Sequence, residues 1–211
     1  MNFNIRAKQL MLATAAATIA ACTNPAEKVP DTSGINIQLK TRRFDTELYA
    51  IDTNSIGEGL NQLKIKFPDF LDYFLDTLMA YGVRGNYSDT SVAIREGLKP
   101  FLVYKDYVEL EKYIKKQYPE TIKTDEALLS GFKLMKYYFP NYKVPGILYL
   151  NMGLSRWTTF AVDSNTMCIG LDMFLGDDFP WYTSVGEPDY MRTHRRREYI
   201  PVSVFSTLYK I

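Results

Sequence analysis

The spacing of the apolar residues changes at Pro140, and this change constrains the fold more than any other feature of the sequence. Before it, apolar residues recur at helical intervals, as in Leu128, Phe132, Met135 and Phe139. After it come short apolar runs separated by turn residues, which are typical of strands. The sequence therefore predicts an α+β fold whose first two thirds are helical and whose late strands form a small antiparallel sheet.

Prolines and capping residues set the bounds of the predicted helices. A helix over 57–67 ends before Pro68, and a helix over 106–118 ends before Pro119. Asp106 and the glutamate three residues later resemble a capping box at the start of the second helix. Further helices are predicted over residues 68–82, 89–103, 124–139 and 188–197, and an amphipathic stripe begins at residue 202.

The predicted strands are short. Residues 35–40 alternate between apolar and polar side chains, which is the pattern of a half-buried strand. The later strands are predicted over residues 146–151, 157–162 and 167–171, with residues 163–166 as a hairpin turn.

The N-terminus carries the pattern of a secretory signal. Arg6 and Lys8 are followed by an uncharged run, 9–21, which is too short to span a bilayer as a helix. The run ends in Ile19-Ala20-Ala21-Cys22, which looks like a bacterial lipobox. We therefore expect cleavage after residue 21 and lipid attachment at Cys22. The alternative is an ordinary signal peptide in which Cys22 is incidental.

The remaining chain divides into a tether and a body. Residues 22–34 contain two prolines and end in Ser33-Gly34, a composition that favours a flexible linker. Residues 35–211 have the length of one domain. No second apolar stretch approaches 18 residues, so the lipid is the predicted attachment to a membrane.

Composition excludes several functions. Lys and Arg number 25 and Asp and Glu 24, so the chain lacks the basic excess that nucleic-acid binding requires. One histidine, His194, excludes a His-Glu-x-x-His zinc site. We predict no enzymatic activity and no cofactor. Cys168 lies among apolar neighbours and is predicted to be a buried core residue.

An ordered set of motifs resembles the gliding-motility lipoprotein B family of the Bacteroidetes. The matching features are Cys22, residues 43–45, residues 67–70 with Tyr73, residues 136–141, residues 169–176, Tyr182, Pro188 and Tyr190. The resemblance implies a non-enzymatic envelope lipoprotein that assists gliding motility and the type IX secretion machinery by binding protein partners. It also implies a position on the cell membrane or outer membrane, facing the periplasm.

The chain departs from the family pattern in two places. Ser203 stands where family members tend to carry an Asp, and further helices follow in the family beyond the region of Ile211. From the resemblance we expect a domain that is shorter at its C-terminus than in the family. Two other functions stay open: a glycan- or peptide-binding lipoprotein that uses the many tyrosines, and a catalytically inactive zincin-like scaffold.

Two charged clusters are candidate sites. The basic run of Arg192, Arg195, Arg196 and Arg197 is the candidate surface for an acidic partner or an anionic lipid. Its alternative is a solvated face, or ion pairs with carboxylates of the C-terminal part that the family has and this chain is expected to lack. Asp172 and its acidic neighbours at 177–178 offer oxygen ligands, but their spacing fits no EF-hand, and a turn is the favoured interpretation.

Overall fold

The computed structural model describes residues 29–85, 87–155 and 157–210. Residues 35–211 form one compact unit, and residues 1–34 belong to another. The predictions for the signal peptide and for Cys22 lie outside the described residues. Within the described part, no helix has both the length and the apolar character needed to cross a membrane.

Most of the compact unit is helical. The helices are α1 (Phe44–Leu48), α2 (Ile56–Lys66), α3 (Lys99–Val103), α4 (Lys105–Gln117), α5 (Ile122–Tyr138), α6 (Trp181–Ser184), α7 (Asp189–Arg192) and α8 (Ile200–Tyr209). Two segments are π-helical, Tyr73–Leu78 and Ala93–Leu98, and two are single 3₁₀ turns, Leu171–Met173 and Arg197–Tyr199.

The strands of the described chain form one mixed sheet. They are β1 (Thr41–Arg43), β2 (Gly146–Leu150), β3 (Thr159–Asp163) and β4 (Thr166–Gly170), in the order β1-β2-β4-β3. The α+β class is confirmed, and β3 and β4 form the predicted antiparallel hairpin. The sheet is not antiparallel throughout, however, because β1 pairs with β2 and β2 with β4 in parallel. Helices connect β1 to β2, as parallel connections require.

Both faces of the sheet are buried. In β2, Leu148 and Leu150 pack into one core with α1, α2 and the π-helical segments, whereas Ile147 and Tyr149 pack into a second core with α4, α5 and α8. Successive side chains of a strand point to opposite faces, so two cores need apolar residues at every position. The continuous apolar runs of β2 and β4 therefore mark interior strands.

The two longest helices follow their apolar stripes. Leu110 and Ile114 of α4 are buried, and the helix ends before Pro119 as predicted. In α5, Leu128 and Phe132 are buried, but Phe139 lies beyond the helix with 64% of its surface exposed. The predicted stripe therefore holds for its first part and is wrong at Phe139.

Three local predictions are corrected by the structure. Residues 35–40 alternate in burial but form no strand, and β1 begins only at Thr41, where pairing with β2 starts. Each of the regions predicted as helices, 68–82 and 89–103, contains a six-residue π-helical segment, and Pro100 lies in the first turn of α3. The basic helix predicted over 188–197 is limited to α7.

Candidate functional site

Three buried polar residues lie where parallel strands end. Asp45 follows β1, Asn151 follows β2 and Asp172 follows β4, and each is at most 1% exposed. Parallel strands place their carboxyl ends at one edge of the sheet, which is the usual position of sites in such sheets. Glu111 of α4, which is 3% exposed, joins this edge through Asn151. We call these four residues the buried polar cluster.

Asp45 is held by an arginine from the strand before it. Arg43 Nε lies 2.8 Å from Asp45 Oδ1, and its Nη2 lies 2.6 Å from Oδ2, which makes the pair bidentate. A third donor, Nη1, reaches the carbonyl oxygen of Tyr118 at 2.8 Å. Burial lowers the pKa of Arg43, but the hydrogen bond and charge of Asp45 outweigh it, so the pKa is raised. The pair is a fixed, mutually neutralised ion pair at the edge of the sheet.

Glu111 is the least satisfied member of the cluster. Asn151 Nδ2 donates to Glu111 Oε2 at 3.0 Å. Oε1 has no hydrogen-bond partner in the described part of the chain and lies 3.5 Å from Lys115 Nζ. Burial raises the pKa of Glu111 to about 7, and the negative charge of Asp45 adds to the rise. Asn151, Lys115 and Arg43 offset only part of it. Glu111 therefore exchanges a proton near neutral pH.

Asp172 fixes a loop rather than binding a ligand. Its Oδ1 accepts the backbone N–H of Met152 at 3.1 Å, and its Oδ2 accepts that of Leu154 at 2.8 Å. Gly153 and Leu154 both have left-handed backbone conformations, with φ of 63° and 61°, and Leu154 is strained there because it has a side chain. Burial raises the pKa of Asp172 to about 6, although the two amides lower it. Asp172 therefore stabilises a strained turn.

The cluster has the geometry of a structural network. Among the residues that the structure describes, no three His, Cys, Asp or Glu side chains are placed to hold a metal ion. Tyr182 reinforces the network, because its hydroxyl donates to the carbonyl of Asp172 and accepts the N–H of Leu175. The reaction that the buried polar cluster can support is therefore proton exchange at Glu111 and Asp172.

An aromatic cleft of about 580 Å³ adjoins the loop that Asp172 holds. Tyr104, Tyr107, Leu154 and Trp181 are among the lining side chains. Tyr104 is 60% exposed, so its ring is open to contact from outside. Tyr104 and Tyr107 thus line one space together with Trp181, whereas Tyr118 is wholly buried.

The four predicted arginines point to different partners. Arg195 is 6% exposed, and its Nε lies 2.8 Å from Oε1 of the buried Glu187. Arg192 donates to Thr183 Oγ1 at 2.6 Å and pairs with Asp189 of its own helix. Arg195 therefore does not belong to an accessible surface, because it is buried and its charge is paired with that of Glu187.

Arg196 and Arg197 lie together, at a second cleft. Arg196 pairs with Asp177, and Arg197 donates to the carbonyl of Gln117. Both arginines line a cleft of about 660 Å³ between the start of α5, the turn at Gly176 and the start of α8. Of the predicted basic surface, Arg195 is buried, whereas Arg196 and Arg197 line this cleft. Their binding role stays a prediction.

The remaining candidate residues are the cysteine, the histidine and the acidic residues near Gly176. Cys168 is a free thiol with no exposed surface, as predicted, and burial raises its pKa. His194 is exposed and stacks edge-on against Tyr199, with ring centroids 4.7 Å apart. Asp177 pairs with Arg196, whereas Asp172 lies inside the fold, so the acidic residues near Gly176 do not form a common site.

Sequence reasoning missed Asp45 and Glu111. Asp45 belongs to the Arg43-Phe44-Asp45 motif, which could have indicated it, because the arginine and the aspartate at this spacing form the observed ion pair. Glu111 stands in a helix rich in charged residues, and nothing in the sequence distinguishes it from Glu109. Only the packing of α4 against the sheet edge does so.

Comparison with known proteins identifies the family. The profile of the family described as gliding motility protein GldB matches residues 25–211, which is most of the chain. Neither a curated protein nor a solved structure matches the chain. The match includes the whole compact unit, with the buried polar cluster and both clefts. The chain therefore belongs to the gliding motility protein GldB family.

Proposed function

We propose that the protein is a lipid-anchored envelope lipoprotein that acts as an accessory, partner-binding component of the gliding-motility and type IX secretion machinery. The family match over residues 25–211 carries the proposal. The lipobox at Cys22 supplies the anchor, because two or three acyl chains suffice for stable attachment. The body then lies on the periplasmic side of the cell membrane or outer membrane.

The proposed role is non-enzymatic. The buried carboxylates support this, because Asp45 is neutralised by Arg43 and Asp172 is occupied by two backbone amides. The chain has one histidine and therefore cannot form a two-histidine zinc site. A zincin-like fold in this protein would thus be an inactive scaffold. The protein would act through the surfaces that it presents to partners.

In-cell cross-linking of the tagged protein, followed by mass spectrometry, tests the proposal. We expect motility or type IX secretion components among the cross-linked proteins. The control is a Cys22→Ala variant, which lacks the lipid and is expected to lose these components. Recovery of chaperones and proteases alone from the lipidated protein would contradict the proposed role.

The aromatic cleft favours a second candidate, a glycan- or peptide-binding lipoprotein. Exposed aromatic rings beside polar groups are suited to sugars, and Tyr104, Tyr107 and Trp181 stand beside Asp106 and Ser184. A polysaccharide array distinguishes this function: binding that Tyr104→Ala abolishes would support it. Tyr190→Ala is the matched control, because Tyr190 is 73% exposed and lies outside the cleft.

A further inference from the structure

We propose that the cleft at the start of α5 binds a phosphoryl group. This phosphoryl cleft has a volume of about 660 Å³. Its cationic lining residues are Lys123, Arg196 and Arg197. Charge-assisted hydrogen bonds from such donors are the strongest means by which proteins hold phosphate oxygens. The role would add a ligand to this protein, and it does not depend on the proposed motility function.

Arg197 is already oriented for this task. Its guanidinium lies 4.5 Å from the ring centroid of Tyr118, and Nη2 donates to the carbonyl of Gln117. Arg197 Nε has no hydrogen-bond partner among the described residues. A fixed, planar guanidinium loses little conformational entropy when it binds an oxyanion. The structure therefore provides a positioned donor at the wall of the cleft.

The start of α5 adds a second, independent feature. The helix has 17 residues, and no side chain caps its first turn, because the hydroxyl of Thr121 donates to Asp125 instead. Helix N-termini of this length favour anions through their free N–H groups and dipole. Thr124, which also lines the cleft, is 2% exposed, and its hydroxyl has no hydrogen-bond partner in the described structure.

The carboxylates near the cleft are accounted for. Asp125 accepts hydrogen bonds from the hydroxyls of Thr41 and Tyr149 on the sheet and from that of Thr121 at the start of α5. Asp177 and Glu198 also line the cleft, and Asp177 pairs with Arg196. That pair is exposed, and exposed pairs are weak, so a negatively charged phosphoryl group competes for Arg196. With three cations and two carboxylates, the lining keeps one positive charge.

Two sources could supply this chemistry: a soluble phosphomonoester and the phosphodiester headgroup of a lipid. Isothermal titration of the full-length lipidated protein in neutral detergent separates them, with inorganic phosphate and glycerophosphoglycerol as probes. Tighter binding of inorganic phosphate identifies a soluble ligand. Tighter binding of glycerophosphoglycerol identifies a headgroup. Either result, with saturation at one site per chain, supports the phosphoryl cleft.

Variants locate the binding. We expect Lys123→Gln combined with Arg196→Gln to weaken binding about tenfold or more, because two charge-assisted contacts are lost. Lys112→Gln, an exposed lysine of α4 outside the cleft, is the matched control and should bind normally.

Thr124→Val separates a ligand contact from a structural role. It removes a hydroxyl that has no hydrogen-bond partner among the residues that the structure describes, so the melting temperature should stay or rise while binding weakens several-fold. Absence of saturable binding by both probes would overturn the proposal. So would equal affinity of the wild-type protein, the double variant and Thr124→Val.

Discussion

Replacing Glu111 by Gln should stabilise the protein at pH 8. The folded protein holds the pKa of Glu111 near 7, against 4.5 for the free side chain, because the carboxylate is buried beside the charge of Asp45. At 1.36 kcal/mol for each pKa unit, keeping Glu111 ionised at pH 8 costs about 3 kcal/mol. Gln carries no charge, and its amide oxygen can still accept the N–H of Asn151.

The contact with Lys115 is already included in this figure, because its positive charge lowers the pKa of Glu111 and so reduces the net shift. The expected stabilisation is therefore about 3 kcal/mol, which raises the melting temperature by about 6–12 °C in a protein of this size.

The same residue predicts an unusual pH dependence. A raised pKa in the folded state contributes stability that is complete below the unfolded pKa and is lost as pH rises through the folded pKa. For Glu111 the loss runs from about pH 4.5 to about pH 7, and for Asp172 it runs from about pH 3.8 to about pH 6. Asp72, whose pKa is lowered, acts in the opposite direction but below pH 4. Wild-type stability should therefore rise as pH falls from 8 to 5.

Thermal unfolding followed by circular dichroism, at pH 5, 6, 7 and 8 and constant ionic strength, measures both effects. We expect Glu111→Gln to flatten the profile above pH 6 and to leave the contribution of Asp172 below it. Glu126→Gln, which alters an exposed carboxylate of α5, serves as the control. A lower melting temperature of Glu111→Gln at pH 8, or a wild-type melting temperature that falls from pH 8 to 5, would refute the reasoning.

Three further predictions concern stability and reactivity. Arg195→Gln should destabilise the protein by about 3–5 kcal/mol in urea unfolding, because it leaves a buried carboxylate unpaired, whereas Arg196→Gln should not change the midpoint. Gly57→Ala should cost about 2–3 kcal/mol, since its Cβ would lie 2.0 Å from a backbone carbonyl oxygen, and Gly34→Ala, which meets nothing, is its control. Cys168 should react with iodoacetamide only after unfolding, as mass spectrometry of the labelled protein would show.

Local patterns predicted the parts of the fold that local interactions determine. The apolar stripe of α4 and the proline that ends the helix lie within a few residues of each other, so the sequence alone predicts this helix. The β3–β4 hairpin was equally predictable, because Asp163 and Asn165 are typical turn residues. In the structure the backbone N–H of Asn165 donates to Asp163 Oδ1.

Long-range pairing was not accessible in this way. Alternation at residues 35–40 correctly indicates one-sided burial, but a strand needs a partner, and β2 begins to pair only at Thr41. The parallel pairs of the sheet join segments that are far apart in sequence, and no local pattern specifies them. The separation of Arg195 from Arg196 has the same cause, because Glu187 and the turn at Gly176 determine which arginine is buried.

Deletion of the gene in its host tests the central claim, a role in motility and secretion, most directly. The measurement is colony spreading together with export of surface adhesins. The account predicts that deletion impairs both, that the wild-type gene restores them, and that a Cys22→Ala gene does not. Normal spreading and normal export in the deletion strain would contradict the account.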